Sequence, residues 1–144
     1  MFKHILIATD GSELAGKAVT AGISLAKQLG AQVTVVTVSE PWTGLAMGEP
    51  AFAFPIEEFE KEAADYAGRI LAEAGAAARK QDVKCATINA KGFAAETIID
   101  TAKARGCDLI VMSSHGRRGI ARALLGSQAT RVVTLSEVPV LICR

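Results

Sequence analysis

Two glycine-bearing stretches carry the residue types that bind phosphate. The first is TDGSELAGKA, residues 9–18, where Gly11, Gly16 and Lys17 complete a G-x-x-x-x-G-K spacing directly after the apolar run HILIA. A Walker A loop of that spacing wraps backbone N–H groups around a polyphosphate, and its last position is a Ser or Thr that holds magnesium. Ala18 stands there instead. Leu14 and Ala15 belong to the apolar face of a helix, so a phosphate loop would have to unwind a good amphipathic turn. Glu13 would also set a negative charge beside the phosphates. Gly16 and Lys17 therefore read as ordinary helix residues, Gly16 placed for close packing and Lys17 exposed. What remains of chemical interest is the front edge, Thr9 and Asp10, where Asp10 is either a ligand-contacting acid at a strand end or a plain helix N-terminal acid next to Ser12.

The second stretch is SSHGRRGIARALLGSQAT, residues 113–130. Gly116 directly follows an apolar run, nine residues intervene, and Gly126-Ser127 then opens a helix. Glycines permit close backbone approach. The N–H groups of such a loop and of a helix start at Ser127, Gln128 and Ala129 can converge on an anion. The Ser127 hydroxyl can cap the helix or donate to a phosphate. Arg117 and Arg118 are either phosphate contacts or solvated loop charges. Plain turn chemistry accounts for the two glycines equally well.

The elements that must position these residues alternate along the chain. Residues 3–9 read as a short buried strand ending at Asp10. Ser12 caps a helix that carries Leu14, Ala15, Ala18, Val19, Gly22, Ala26 and Leu29 at helical spacing and stops at Gly30. QVTVVTVS, residues 32–39, is rich in β-branched residues and ends before Glu40-Pro41. Residues 40–55 form an apolar, proline-rich loop whose Trp42 and Phe52-Ala53-Phe54 either cover the core or act as a lid or partner surface. A long amphipathic helix follows from Pro55 to about Gln81, with Ile56, Phe59, Tyr66, Ile70 and Leu71 on one face and charges that suit its dipole. Residues 83–90 read as a strand, 93–105 as a helix, 108–114 as a strand, 126–136 as a helix and 139–143 as a last strand. Five mostly apolar strands with intervening helices predict an α/β fold, a three-layer doubly wound parallel sheet covered on both faces. A ligand then belongs at the carboxyl ends of the strands, where strand order reverses.

Bulk properties narrow the function. The 144 residues suit a single domain, 1–144, and half of them are apolar. A formal charge of +1 lacks the basic excess of a nucleic-acid binder. No apolar run approaches the roughly 18 residues of a membrane span, and MFKHILIATDGS reads as structure rather than as a secretory leader. Cys85, Cys107 and Cys143 lie in or beside apolar runs without a C-x-x-C, as inert thiols of a cytoplasmic protein do. His4 and His115 have no ligand-like spacing for zinc. The lone His115, with no evident base or metal partner, reads as a backbone-bonding loop residue rather than a catalytic one. A response-regulator receiver fold is excluded because the third strand ends Asn89-Ala90-Lys91, with no acceptor aspartate.

The segments ILIATDGS, VTVVTVSE, DLIVMSSHGRRGIARALLGSQATRVV and VPVLICR make the whole chain similar to universal stress proteins of the bacterial UspA type. The ATP-binding branch of that family carries G-x-x-G-x9-G-[ST]. This chain reads Ser113-x-x-Gly116-x9-Gly126-Ser127, departing only at Ser113. The resemblance implies a Rossmann-like, adenine nucleotide alpha hydrolase-like sheet and a nucleotide-responsive protein of the stress response, with ATP hydrolysis slow at most. Ala8, Thr9 and Asp10 match positions that hold adenine by backbone and the ribose, or a magnesium reached through water, by the acid. Val38 matches a residue packed on the adenine, Met112 and Ser113 the strand end beside the ribose, and Gly116, Gly126, Ser127, Gln128 and Ala129 the phosphate-binding groups. No direct protein ligand to a metal is implied. A homodimer through the last strand, Val138 to Cys143, follows from the family and from the exposed edge such a strand presents. A universal stress protein that binds no nucleotide and works through its dimer surfaces is the alternative.

Overall fold

The computed structural model describes residues 1–41, 55–117 and 124–144. Trp42, Phe52-Ala53-Phe54 and Arg118 lie outside the described residues. The element order is β1 (His4–Ala8), α1 (Glu13–Leu29), β2 (Gln32–Ser39), α2 (Ile56–Lys80), β3 (Cys85–Lys91), α3 (Ala94–Arg105), β4 (Leu109–Ser113), α4 (Ser127–Leu135) and β5 (Val140–Cys143). The strands form one parallel sheet in the order β3-β2-β1-β4-β5. Strand order reverses between β1 and β4, so the loops that leave these two strands flank the switch point.

Alternation along the strands divides the core in two. Ile5 and Ile7 of β1, Val33 and Val35 of β2, and Leu109 and Val111 of β4 face α1 and α2, against Ala18, Ile23, Leu71 and Ala74. Leu6, Ala8, Val36, Ile110 and Met112 face α3 and α4, against Ile98, Ala102, Ala129 and Val132. The central strands are apolar on both faces because both are covered. At Gly22 an added Cβ would lie 2.6 Å from the Ile7 side chain, so the glycine sets how closely α1 packs on β1.

The helix ends follow local chemistry. Ser12 Oγ accepts from Ala15 N at 3.2 Å, and Gly30 and Gly106 close α1 and α3 in the left-handed conformation. Gly16 sits exposed in α1 with nothing within 4 Å of an added Cβ. It does not serve close packing, contrary to the sequence reading, and Lys17 is exposed as expected. Gly16→Ala is therefore expected to stabilise the protein by about 0.5–1 kcal/mol, since alanine gives up less backbone freedom in a helix. Urea denaturation checks this; a loss of stability would mean that Gly16 has a contact partner.

Two expectations shift. The third strand starts at Cys85, not at residue 83: Val83 N donates to Ala78 O at 3.0 Å, which makes buried Val83 part of the α2 exit. β3 is also a sheet edge on which Thr87, Asn89 and Lys91 are exposed, so it alternates instead of being apolar and covered on both faces. The buried face of α2 is built largely of small residues (Ala67, Leu71, Ala74, Gly75, Ala78), while Phe59 is 40% exposed. All three cysteines are free thiols. Burial pushes their pKa values up, that of Cys107 to about 11 with help from the Asp108 charge. That is the behaviour of inert thiols. No helix among the described residues is long and apolar enough to cross a membrane.

Candidate functional site

The loops after β1 and β4 are joined across the switch point by one carboxylate. Asp10 Oδ1 accepts from Ser12 N at 2.9 Å within its own turn, and Oδ2 accepts from Arg117 N at 2.7 Å. Hydrogen bonds to a charged acceptor are about twice as strong as neutral ones. Gly116 is required by this arrangement, because an added Cβ would lie 2.7 Å from Asp10 Oδ2. Thr9, buried beneath, donates its N–H to Val36 O at 3.0 Å and accepts from Gly11 N at 3.2 Å through Oγ1.

The other wall starts at the end of β4. Ser113 is buried and donates its hydroxyl to His115 O at 2.8 Å. Ser114 N donates to Cys143 O at 2.8 Å, and Ser114 O accepts from Gly126 N at 2.7 Å, which docks the start of α4 on the strand end. A Cβ on Gly126 would lie 3.0 Å from Ser114 O and 3.4 Å from His115 Cα. The N-cap residue of α4 is Gly126, which has no side chain to cap the helix, so the N–H groups of the first turn have no side-chain acceptor among the described residues. His115 does not bond the backbone through its ring. Nδ1 pairs with Ser114 Oγ at 3.0 Å, and buried Nε2 has no partner among the described residues.

The sequence-predicted residues divide by layer. Ala8 ends β1, Val38 and Met112 lie one residue before the ends of β2 and β4, and the three form an apolar floor on the α3/α4 side. Gly126 and exposed Ser127 begin α4 on the same side. Gln128 contributes only its backbone, because Oε1 caps α3 by accepting from Ala95 N at 3.1 Å. Ala129 is buried in the core. A salt bridge between Arg131 and Glu96 also ties α4 to α3, and the Arg131 hydrogen bond lowers the Glu96 pKa. Arg117 goes the other way. Its guanidinium lies 4.7 Å from the centroid of the Tyr66 ring, on the α2 side.

Sequence reasoning missed Tyr66 as a site residue. Its hydroxyl donates to Asp10 O at 2.9 Å. Gly11, at φ +80°, leaves room for it, since an added Cβ would collide with the Tyr66 hydroxyl and with Ile70. The available signal was that Tyr66 is the single tyrosine, on the inward face of a helix whose other inward residues are apolar. A buried tyrosine hydroxyl needs a partner.

An apolar floor beside a helix N-terminus suits a flat, apolar ring carrying an anionic tail. The family model described as "Universal stress protein family" matches residues 1–144. The chain belongs to the universal stress protein family. Universal stress protein YxiE of Bacillus subtilis is 34% identical over 151 residues, which cover 100% of both chains. Among solved structures, universal stress protein UspA from Lactobacillus plantarum superposes with a TM-score of 0.85 at 25% identity, over 99% of this chain and 97% of that one. A universal stress protein in complex with cAMP gives a TM-score of 0.75 at 25% identity, over 99% and 97%.

Within this universal stress protein chain, the Ser113 hydroxyl is spent on the loop backbone. Ser113→Gly removes that bond and frees the backbone, and it is expected to destabilise by about 1–2 kcal/mol. Chemical denaturation measures the difference. Unchanged stability would show that the bond to His115 O carries no weight.

Proposed function

We propose that this universal stress protein binds ATP at the carboxyl end of β1 and β4 and acts as a nucleotide-responsive regulatory protein of the stress response. The observation that carries the reading is the docking of Gly126 on Ser114 O, which presents the uncapped start of α4 beside the Ala8, Val38 and Met112 floor. In this reading the adenine packs on Val38 and Met112, with the backbone of Ala8 and Thr9 at its edge. The phosphates take the N–H groups of Ser127, Gln128 and Ala129 and the Ser127 hydroxyl. The site chemistry fits such a group: glycine at 116 and 126 keeps both positions clear of a side chain. No group of three or more potential ligand side chains for a metal occurs among the described residues. Magnesium would then be held chiefly by the phosphates, with Asp10 reaching it through water. The solved relative in complex with cAMP supports the adenine-nucleotide class.

Slow ATP hydrolysis at most belongs to this reading. The unpaired edge of β5, with exposed Leu141 beside it, supports a homodimer through Val138 to Cys143. One observation favours the nucleotide-free alternative: the Asp10 carboxylate already holds the Arg117 amide. Protein purified without added nucleotide decides between them. Excess absorbance at 260 nm, or a rise in melting temperature with millimolar Mg-ATP, is expected. Ligand at about a hundred times Kd adds ~2.7 kcal/mol, or several degrees for a chain of this size. Absence of both would sink the ATP reading.

A further inference from the structure

Arg117 and Tyr66 sit on the side of the sheet away from the α4 N-terminus, yet they hold the start of the loop that leaves β4. The Tyr66 hydroxyl donates to Asp10 O, Asp10 Oδ2 accepts from Arg117 N, and the Arg117 guanidinium returns to the Tyr66 ring at 4.7 Å. The circuit closes on itself. It links α2, the turn after β1 and the loop after β4, which are far apart in sequence. Arg69 also lies 5.9 Å from the same ring, but one helical turn along α2 it ties α2 only to itself. Gly11 leaves room for the Tyr66 hydroxyl, and Gly116 leaves room for the Asp10 carboxylate. Two glycines thus serve one clamp.

We propose that Tyr66 is a positioning residue for the anionic part of the ligand, setting through Asp10 and Arg117 where the loop after β4 begins. This rests on the nucleotide-binding reading above. The clamp fixes the start of that loop, at Gly116 and Arg117, and does not touch the side chains of the apolar floor, Ala8, Val38 and Met112. It therefore tunes affinity for the phosphates more than for the base. Arg117 acts here through its amide and its ring contact rather than by touching phosphate.

The test compares wild type, Tyr66→Leu and Tyr66→Phe in binding ATP with magnesium and binding adenosine, together with amide hydrogen exchange of the ligand-free proteins. Loss of a partly exposed cation–π contact changes an equilibrium roughly two- to fivefold. Tyr66→Leu is expected to weaken ATP by at least that factor, weaken adenosine less and speed exchange at the Arg117 amide. Tyr66→Phe keeps the ring over Arg117 and is expected to recover most of the ATP preference. Equal losses for ATP and adenosine, or an unchanged Arg117 amide in a folded Tyr66→Leu protein, would overturn the proposal. If wild type binds neither ligand, the nucleotide reading fails on its own, and the exchange measurement alone judges the clamp.

Discussion

Gly126→Val is expected to abolish adenine-nucleotide binding while leaving a folded protein. The first added carbon would lie 3.0 Å from Ser114 O and 3.4 Å from His115 Cα, both backbone atoms. They cannot swing aside, because Ser114 N is held by Cys143 O at 2.8 Å at the end of β4. Either the start of α4 retreats or the 2.7 Å bond from Gly126 N to Ser114 O breaks. The branched valine adds bulk that alanine would not, and overpacking of this kind destabilises by about 1–3 kcal/mol. Binding suffers more than folding. In the proposed site a phosphate would meet several N–H groups at once, and misplacing two charge-assisted hydrogen bonds removes at least about a hundredfold in affinity. Calorimetric titration with Mg-ATP measures the loss, and far-UV circular dichroism shows whether the helices survive. Lys17→Ala is the control and is expected to bind as wild type does, since Lys17 lies exposed in mid-α1. If Lys17→Ala destroyed binding and Gly126→Val did not, the phosphate site would have to move to the first loop.

The alternation of strands and helices was legible because it is written in local periodicity. The β-branched run 32–39 is β2 to the residue, and Ser12 and Gly30 bound α1 as their chemistry predicts. The strand order that puts the switch point between β1 and β4 is set by topology, and the proposed site rests on it. Features that depend on side-chain direction were not legible. Asp10 read either as a ligand-contacting acid or as a plain acid at the helix N-terminus beside Ser12, and the structure engages both its oxygens with backbone N–H groups 2 and 107 residues away. Nothing local distinguishes those two uses of a strand-end acid. Arg117 read as a charge pointing at the loop centre or at water, and it points at a tyrosine on α2. Gln128 lies in the family pattern, and its side chain caps a different helix. Val83 misled for the opposite reason. A buried apolar residue next to a strand looks like strand, although its N–H completes the preceding helix.

Asp10→Ala carries the second large effect, on stability as well as on binding. Removing the carboxylate deletes two charge-assisted hydrogen bonds and leaves the N–H groups of Ser12 and Arg117 to water. A loss of about 2–3 kcal/mol is expected, a fall in melting temperature of roughly 5–10 °C. Asp10→Asn should recover only part of it, because the amide oxygen can accept one N–H while the NH2 group opposes the other. On binding, two effects compete. A negative charge leaves the neighbourhood of the phosphates, and the joint between the two loops is lost. If Asp10 reaches magnesium through water, chelation lowers the wild-type affinity for ATP by more than it lowers that of Asp10→Ala. The joint itself can be isolated from the metal. Gly116→Ala alone forces a Cβ to within 2.7 Å of Asp10 Oδ2 and should destabilise clearly. In the Asp10→Ala background that clash has no partner, so the double variant should be more stable than the sum of the single losses predicts. Strict additivity in denaturant unfolding would mean that the carboxylate does not sit over Gly116, and the union of the two loops at the switch point would have to rest on other residues.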